Sequence, residues 1–421
     1  MANATEWEKI YDICCGIDVH KKLLVACLNR GKEQKIKEFG ATTREILELL
    51  DWLVKNKCEI VAMESTGSYW KPLYNILEAH NMPAIVVNAQ HMKAVPGRKT
   101  DVTDAQWIAK LLQHGLLQAS FIPDKAQREL RELVGYRKSL VADKTRELNR
   151  LQKMLEGANI KLSGTLTDIS GKSAMSLLNE ILKGKTLDKS QIAKMRKDKK
   201  ISSRLKATDE QLADDLNGYI TPLQNMMICE LLTHIQELDK HIRRLEDEID
   251  RHMSDEQKEA ATKIEEITGI GENSAKAIIS VIGTDMNRFP SDAHISAWAG
   301  VCPGNNESAK KRNSGRSRKG NRLLKSTLVV CAQAAIKNTK SYFYAQYQRI
   351  CAHRGKKRAI VAVAHSMLIA IYHILKDNVP FCDLGSDYFN RFNRERKINA
   401  LLKKLKQLGW ENPNATNTQF A

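Results

Sequence analysis

The stretch YDICCGIDVHKKLLVACLNR, residues 11–30, decides the fold. It holds two short apolar runs, 11–19 and 23–29, joined by a polar turn, and the second is followed by Arg30-Gly31. Short apolar runs bounded by turn signals read as strands. Working outward, 34–39 is a third candidate strand, and 46–54 has helical periodicity with apolar residues at 46, 49, 50 and 53. Residues 59–64 read as a strand, 70–79 as a helix and 82–87 as a strand, with a last helix beginning near 100–104. The order β-β-β-α-β-α-β-α predicts an α/β domain over 1–115, a mixed sheet with helices packed on its faces.

The 421 residues exceed one ordinary core, so further domains must follow. A hydrophobic fraction of 42% and a charged fraction of 28% describe a globular protein. No apolar run reaches the roughly 18 residues of a membrane span. Residues 1–11 are polar and acidic and do not read as a signal peptide, which predicts a cytoplasmic location. Nine cysteines is an odd number, and no two stand at C-x-x-C spacing. Cys14, Cys15, Cys27 and Cys331 sit inside apolar runs, as small core residues do in a reducing compartment.

The net charge is +18, and its location matters more than its size. Residues 300–421 carry 23 Lys plus Arg against 6 Asp plus Glu, a net +17, leaving about +1 for the first 299. Charge concentrated in the last quarter is expected of a part that lies against a polyanion. A membrane surface would satisfy the charge, but no amphipathic anchor with aromatic residues on its apolar face accompanies it. Nucleic acid is the expected partner, with no membrane role.

The middle of the chain, 116–258, reads as helical. Residues 124–156 are helical and strongly charged, and 157–225 read as an insertion, helical in pieces. Ile228, Leu231, Ile235, Leu238, Ile242, Leu245 and Ile249 then repeat at alternating spacings of three and four. Ile at every a position and Leu at every d position favours a two-stranded parallel coiled coil between two copies. The alternative is a hairpin with the 124–156 helix. Residues 259–421 form the third region, mainly α and basic.

Four acids stand out by placement: Asp18 at the end of the first strand, Glu64 at the end of the fourth, and Asp101 and Asp104 where the last helix of the α/β domain begins. The last two are spaced i,i+3 and point in nearly the same direction on a helix. Thr103 with Gln106 makes a capping box there, or Thr100 caps instead. Strand ends and a helix start are where a mixed sheet converges carboxylates. Hard oxygens of this kind bind Mg2+ (or Mn2+) together with phosphate oxygens. Two such ions stabilise the attacking and leaving oxygens of a phosphoryl displacement.

In the basic region, residues 264–283 have the form of a helix-hairpin-helix, with Gly269 and Gly271 allowing a tight turn. Beyond Glu307 come Lys310, Lys311, Arg312, Arg316, Arg318, Lys319, Arg322 and Lys325 with no acid among them. Small residues let backbone approach phosphate, and the cations supply charge-assisted contacts. The apolar flanks, 298–301 and 323–336, hold this loop on a packed core. Arg391, Arg394, Arg396, Lys397, Lys403, Lys404 and Lys406 form a further basic tail.

With these residues in view, the chain resembles the RNase H-like nucleases of the RuvC-like branch. It resembles more fully the DEDD-type transposases of the insertion-sequence-110 family, the RNA-guided bridge recombinases. The resemblance rests on Gly16-Ile17-Asp18-Val19-His20-Lys21, Met63-Glu64-Ser65-Thr66-Gly67 and Lys99-Thr100-Asp101-Val102-Thr103-Asp104-Ala105, together with Gly300-Val301-Cys302-Pro303. It covers most of the chain outside 157–225. The resemblance implies a DNA recombinase whose four carboxylates bind Mg2+ and whose serine, shortly after the Gly-x-x-Pro run, becomes a covalent phosphoserine. Ser308 matches that serine, although Glu307-Ser308-Ala309 stands where many relatives have a Ser-Ser-Gly-like string; Ser314 is the second choice. A structured guide RNA is implied as a partner beside DNA. A metal site and a serine in different domains must meet, which predicts a homodimer that pairs into a tetramer. A junction-resolvase-like metal nuclease would use the carboxylates alone, and a basic nucleic-acid scaffold would use neither.

Overall fold

The computed structural model describes residues 8–31, 33–65, 67–88, 104–166, 168–304, 306–308, 311–314, 317, 319–391 and 394–410. They fall into two compact units, 1–123 and 124–421.

Unit 1 is built on a five-stranded mixed sheet. Its strands are β1 (Ile13–Val19), β2 (Leu23–Arg30), β3 (Glu33–Gly40), β4 (Ile60–Glu64) and β5 (Ala84–Val87), in the order β3-β2-β1-β4-β5. The β1–β2 and β2–β3 pairs are antiparallel, while β1–β4 and β4–β5 are parallel. This is the mixed sheet expected from the run order. The central strand β1 is covered on both faces, and side-chain alternation decides which residue meets which layer. Cys15, Ile17 and Val19 pack with Leu49, Leu50 and Leu53 of α1 (Thr43–Lys55) and Leu73 and Leu77 of α2 (Trp70–Ala79). Cys14 packs on the opposite face with Ile108 and Leu112 of α3 (Asp104–Gln113). The predicted apolar stripe of α1 is buried at 46, 49, 50 and 53, and a Thr42–Glu45 capping box starts the helix.

The thiols follow the same logic. All nine cysteines are free. Burial pushes Cys14 and Cys58 up to about 12 and Cys27 up to about 11, and it raises Cys15 and Cys331 as well. These five are packing residues, as the apolar runs around Cys14, Cys15, Cys27 and Cys331 predict.

Unit 2 begins with α4 (Lys125–Gly157), which pairs with α9 (Pro222–His252). Arg137 meets Glu246, Lys144 meets Asp239 at 2.6 Å and Glu147 faces His234 at 3.7 Å, so the two helices run antiparallel. Leu140, Leu238 and Ile242 form the seam between them. Ile228, Ile235, Leu238, Ile242 and Ile249 are buried as their spacing predicts, and Leu231 and Leu245 are half-buried. Within a single chain the Ile/Leu stripe is therefore covered by α4, the hairpin arrangement. Among the described residues, 157–225 supply four helices, α5 (Leu162–Thr165), α6 (Lys172–Leu182), α7 (Lys189–Lys197) and α8 (Asp209–Asp215). They bury Leu177, Leu178, Ile192 and Leu212 against Leu151, Leu155 and Leu232 at that end of the hairpin. That side packing explains why Leu232 is buried more deeply than Leu231.

The rest of unit 2 is one helical core. It contains α10 (Asp255–Glu265), α11 (Glu272–Ile282), α12 (Asp292–Ala299), α13 (Arg322–Ala335), α14 (Tyr342–Arg354) and α15 (Lys356–Asp377). By length and apolar composition α15 is long enough to cross a membrane. Its Val363, Ala364, Met367, Leu368 and Ile371 are fully buried among the neighbouring helices, which makes it the core helix of this unit. The turn between α10 and α11 requires Gly269: its φ is +94°, and a Cβ there would lie 2.5 Å from the Ala335 backbone nitrogen. Gln127 and Arg131 of α4 donate to the last carbonyls of α11, Gln127 Nε2 to Ile279 O at 2.9 Å and Arg131 Nε to Ser280 O at 3.1 Å. Burial lowers Arg131 to about 10.

Candidate functional site

In unit 1 the acids gather at the carboxyl ends of β1 and β4. The parallel register pairs Ile17 with Met63, so Asp18 and Glu64 are the next residues along on adjacent strands, roughly 5 Å apart at the backbone. Gly16 and Asp18 share a face by alternation, and that face is the one α3 covers. A Cβ on Gly16 would lie 2.3 Å from Ala109 N and 2.5 Å from Ala105 O, so only glycine lets α3 approach this closely. Ala62 belongs to the same layer, with Ile108 and Leu112, which puts Glu64 on that face too. At its far end α3 reaches the other end of the sheet, where Gln113 accepts from Ile10 N at 2.9 Å and donates to Gly31 O at 3.2 Å. The helix therefore starts beside Asp18 and Glu64, with Asp104 as its first residue. Its positive dipole end favours the carboxylates gathered there.

All three acids are half-buried. Asp18 Oδ2 lies 3.0 Å from Nε2 of the exposed His20. Among the described residues no group of three His, Cys, Asp or Glu lies close enough to hold a metal ion. Asp101 and the capping residues Thr100 and Thr103 lie outside the described residues. The donor chemistry suits a hard cation: the described acids offer carboxylate oxygens on one sheet edge and one face.

In unit 2 the basic segment is a β-hairpin. Strands β6 (Asn306–Ser308) and β7 (Lys311–Ser314) pair antiparallel, with Ser308 opposite Lys311, Glu307 opposite Arg312 and Asn306 opposite Ser314. Ser308 stands at the closed end of this ladder and Ser314 at its open end. The sequence reading expected a loop, because neither run carries the β-branched or aromatic residues that mark strands. The ladder is instead imposed by its stem. Pro303 bridges to Ser317, and Asn321 N donates to Trp298 O at 3.3 Å. Gly320 lies so close that a Cβ would sit 2.4 Å from Ala299 C. Asn321 Oδ1 then caps α13 by accepting from Leu324 N at 3.0 Å.

Lys319 and Arg322 are exposed at this stem, and Lys325 donates to Ser317 Oγ at 2.7 Å. Lys310, Arg316 and Arg318 lie outside the described residues, and only the backbone of Lys311 and Arg312 is described. Sequence reasoning missed Lys138 of α4. Its Nζ donates to Ser326 Oγ at 2.5 Å and Thr327 Oγ1 at 3.4 Å on the first turns of α13, and burial with the nearby Arg322 lowers its pKa. A lysine held by hydroxyls beside an arginine leaves net positive charge at the hairpin stem. Nothing local in the 124–156 helix distinguishes it from its other lysines.

Comparison with known proteins finds two family matches along the chain. Residues 15–160 match a family model for the DEDD type of IS110, described as a transposase. Residues 261–348 match the model of the transposase IS116/IS110/IS902 family. An uncharacterized 43.6 kDa protein of insertion element IS110 from Streptomyces coelicolor is 24% identical over 299 residues, covering 67% of this chain and 72% of that protein. An uncharacterized 44.8 kDa protein of insertion element IS116 from Streptomyces clavuligerus is 21% identical over 341 residues, covering 76% and 83%. The first match takes in Asp18, Glu64, Asp101 and Asp104, and the second takes in Ser308 and the basic hairpin. The chain belongs to the IS110 family of insertion-element transposases.

Proposed function

We propose that this transposase has an RNase H-like, RuvC-type carboxylate site in unit 1 and a nucleophilic serine, Ser308, in unit 2. Together they cut and exchange DNA strands through a covalent phosphoserine. The observation that carries this reading is the convergence of Asp18, Glu64 and the start of α3 on one face and one edge of a β3-β2-β1-β4-β5 sheet. Asp18, Glu64, Asp101 and Asp104 would hold Mg2+ or Mn2+. When bound, the metal supplies charge neutralisation at the scissile phosphate. Gly16 sets the depth of α3 and thereby the position of Asp104. The Ser308 hydroxyl attacks phosphorus, a DNA 3′- or 5′-oxygen leaves, and the serine proton passes to a carboxylate or to water. Lys310, Lys311, Arg312, Arg316, Arg318, Lys319 and Arg322 hold the phosphate backbone against the hairpin.

The same reading takes a structured guide RNA as the source of sequence choice, and a homodimer that pairs into a tetramer as the working form in the cytoplasm. Because α4 covers the Ile/Leu stripe within one chain, the dimer seam has to use other surfaces or extend this hairpin. Strand-transfer assays with element-end DNA, the element's RNA and Mg2+ test the proposal. Wild type should transfer strands, and Asp18→Asn and Glu64→Gln should not. Transfer at the wild-type rate by both variants would remove the carboxylate edge from the mechanism.

A further inference from the structure

At the ends of the strands that carry Asp18 and Glu64 lies a cleft that the proposed mechanism does not use. It has a volume of about 500 Å³ and is lined by Val19, His20, Lys21, Lys22, Leu23 and Tyr69. Its two walls come from neighbouring strand ends. His20, Lys21 and Lys22 form the turn that follows Asp18 in β1, and Tyr69 closes the turn that follows Glu64 in β4. Lys21 and Lys22 are exposed, and neither pairs with a carboxylate among the described residues. Tyr69, at the start of α2, is 44% exposed. Gly67, at φ +54°, folds the connecting turn back until the Tyr69 ring lies 3.9 Å from where a Cβ would stand.

An accessible aromatic ring between unpaired cations is the combination that binds a single nucleic-acid strand: bases stack on the ring and phosphates meet the lysines. A duplex offers no free base face, so the occupant has to be unpaired. We propose that this cleft is the strand-entry subsite of the carboxylate site. There one unpaired DNA base stacks on Tyr69, and Lys21 and Lys22 clamp the flanking phosphates, so that the strand runs on across the ends of β1 and β4 towards Asp18 and Glu64. The inference rests on the reading of those carboxylates as the catalytic edge. Tyr69, Lys21 and Lys22 are positioning residues that touch the strand.

The experiment is photo-crosslinking of the full-length chain to a single-stranded oligothymidylate carrying one 4-thiothymidine, in Ca2+, followed by peptide mapping. The expected result is a crosslink in the peptide containing Tyr69, in addition to crosslinks in 300–421. Its yield should fall about tenfold in Tyr69→Ala and in Lys21→Ala/Lys22→Ala, and return in Tyr69→Phe. Crosslinks in 300–421 should be unchanged by any of these variants, and a wild-type denaturant transition of unit 1 reports that they fold. Crosslinking confined to 300–421 in the wild type would overturn the subsite while leaving the DNA-handling reading intact. So would a Tyr69-peptide yield that Tyr69→Ala does not lower. No crosslink anywhere on the chain would instead count against the DNA-handling reading and remove the subsite with it.

Discussion

The carboxylate edge and the serine hairpin are built in opposite ways. The edge is assembled from residues 18, 64 and 104, far apart in sequence, by a buried sheet whose central strand is covered on both faces. Its geometry is set from below, by Gly16 against Ala105 and Ala109. The hairpin is local in sequence: its described strands lie between Pro303 and Arg322, and it is set from its stem by Gly320, Asn321 and the Pro303–Ser317 bridge. The edge carries acids beside a short basic turn, and the hairpin carries almost only cations. One region therefore presents hard oxygen donors and the other presents cations. A chemistry that needs both has to bring them together on the same phosphodiester.

Substitutions in the two regions should have effects of different size. The largest falls on the edge: Asp18→Asn should cut strand cleavage by about 10²-fold or more while leaving DNA affinity unchanged, as removal of a metal-binding charge does. An equal loss of affinity would mean that Asp18 supports the fold instead. Next come the two close approaches. Gly16→Val should destabilise unit 1 by roughly 1–3 kcal/mol, and Gly269→Ala should do the same to the α10–α13 core, through overpacking and, at Gly269, a positive φ. Denaturant titrations followed separately in each unit would show whether each change stays in its own region.

A smaller effect belongs to the hairpin stem. Lys319→Ala and Arg322→Ala should each weaken DNA binding uniformly across sequences and lower the slope of log K against log salt by about 1. A change of sequence preference without a change of slope would make them base readers. The smallest concerns the sheet thiols. Because Cys14, Cys27 and Cys58 keep their protons to about 12, 11 and 12 when folded, against an ordinary value of 9.0, the unfolded chain loses protons first as pH rises. Unit 1 should therefore lose stability progressively above about pH 9, and be indifferent to these groups below it. Alkaline melts of Cys14→Ala measure the size of that loss.

Much of unit 1 was legible because strand ends and periodicity are local signals. The runs at 11–19, 23–29 and 59–64 became β1, β2 and β4 within a residue or two, and Asp18 and Glu64 sit where those runs end. Register was not legible. That Ile17 faces Met63, and so sets Asp18 beside Glu64, depends on pairing between strands more than forty residues apart. The serine hairpin was missed as a hairpin because its stem is formed by close backbone approaches and not by side-chain propensity. The Ile/Leu repeat of α9 was legible as a buried stripe. Its partner was not, because a heptad pattern names the face and leaves the covering helix open. Lys138 and Tyr69 gave no sequence signal, since their roles come from what the fold sets beside them.

The most direct test of the central claim is covalent capture. Wild type, Ser308→Ala and Ser314→Ala are each incubated with labelled element-end DNA, the element's RNA and Mg2+, then denatured and separated on a gel. A protein–DNA adduct is expected in the wild type and in Ser314→Ala, and none in Ser308→Ala. DNA cleavage with no adduct in any variant would contradict it and leave a nuclease that works through the carboxylates alone.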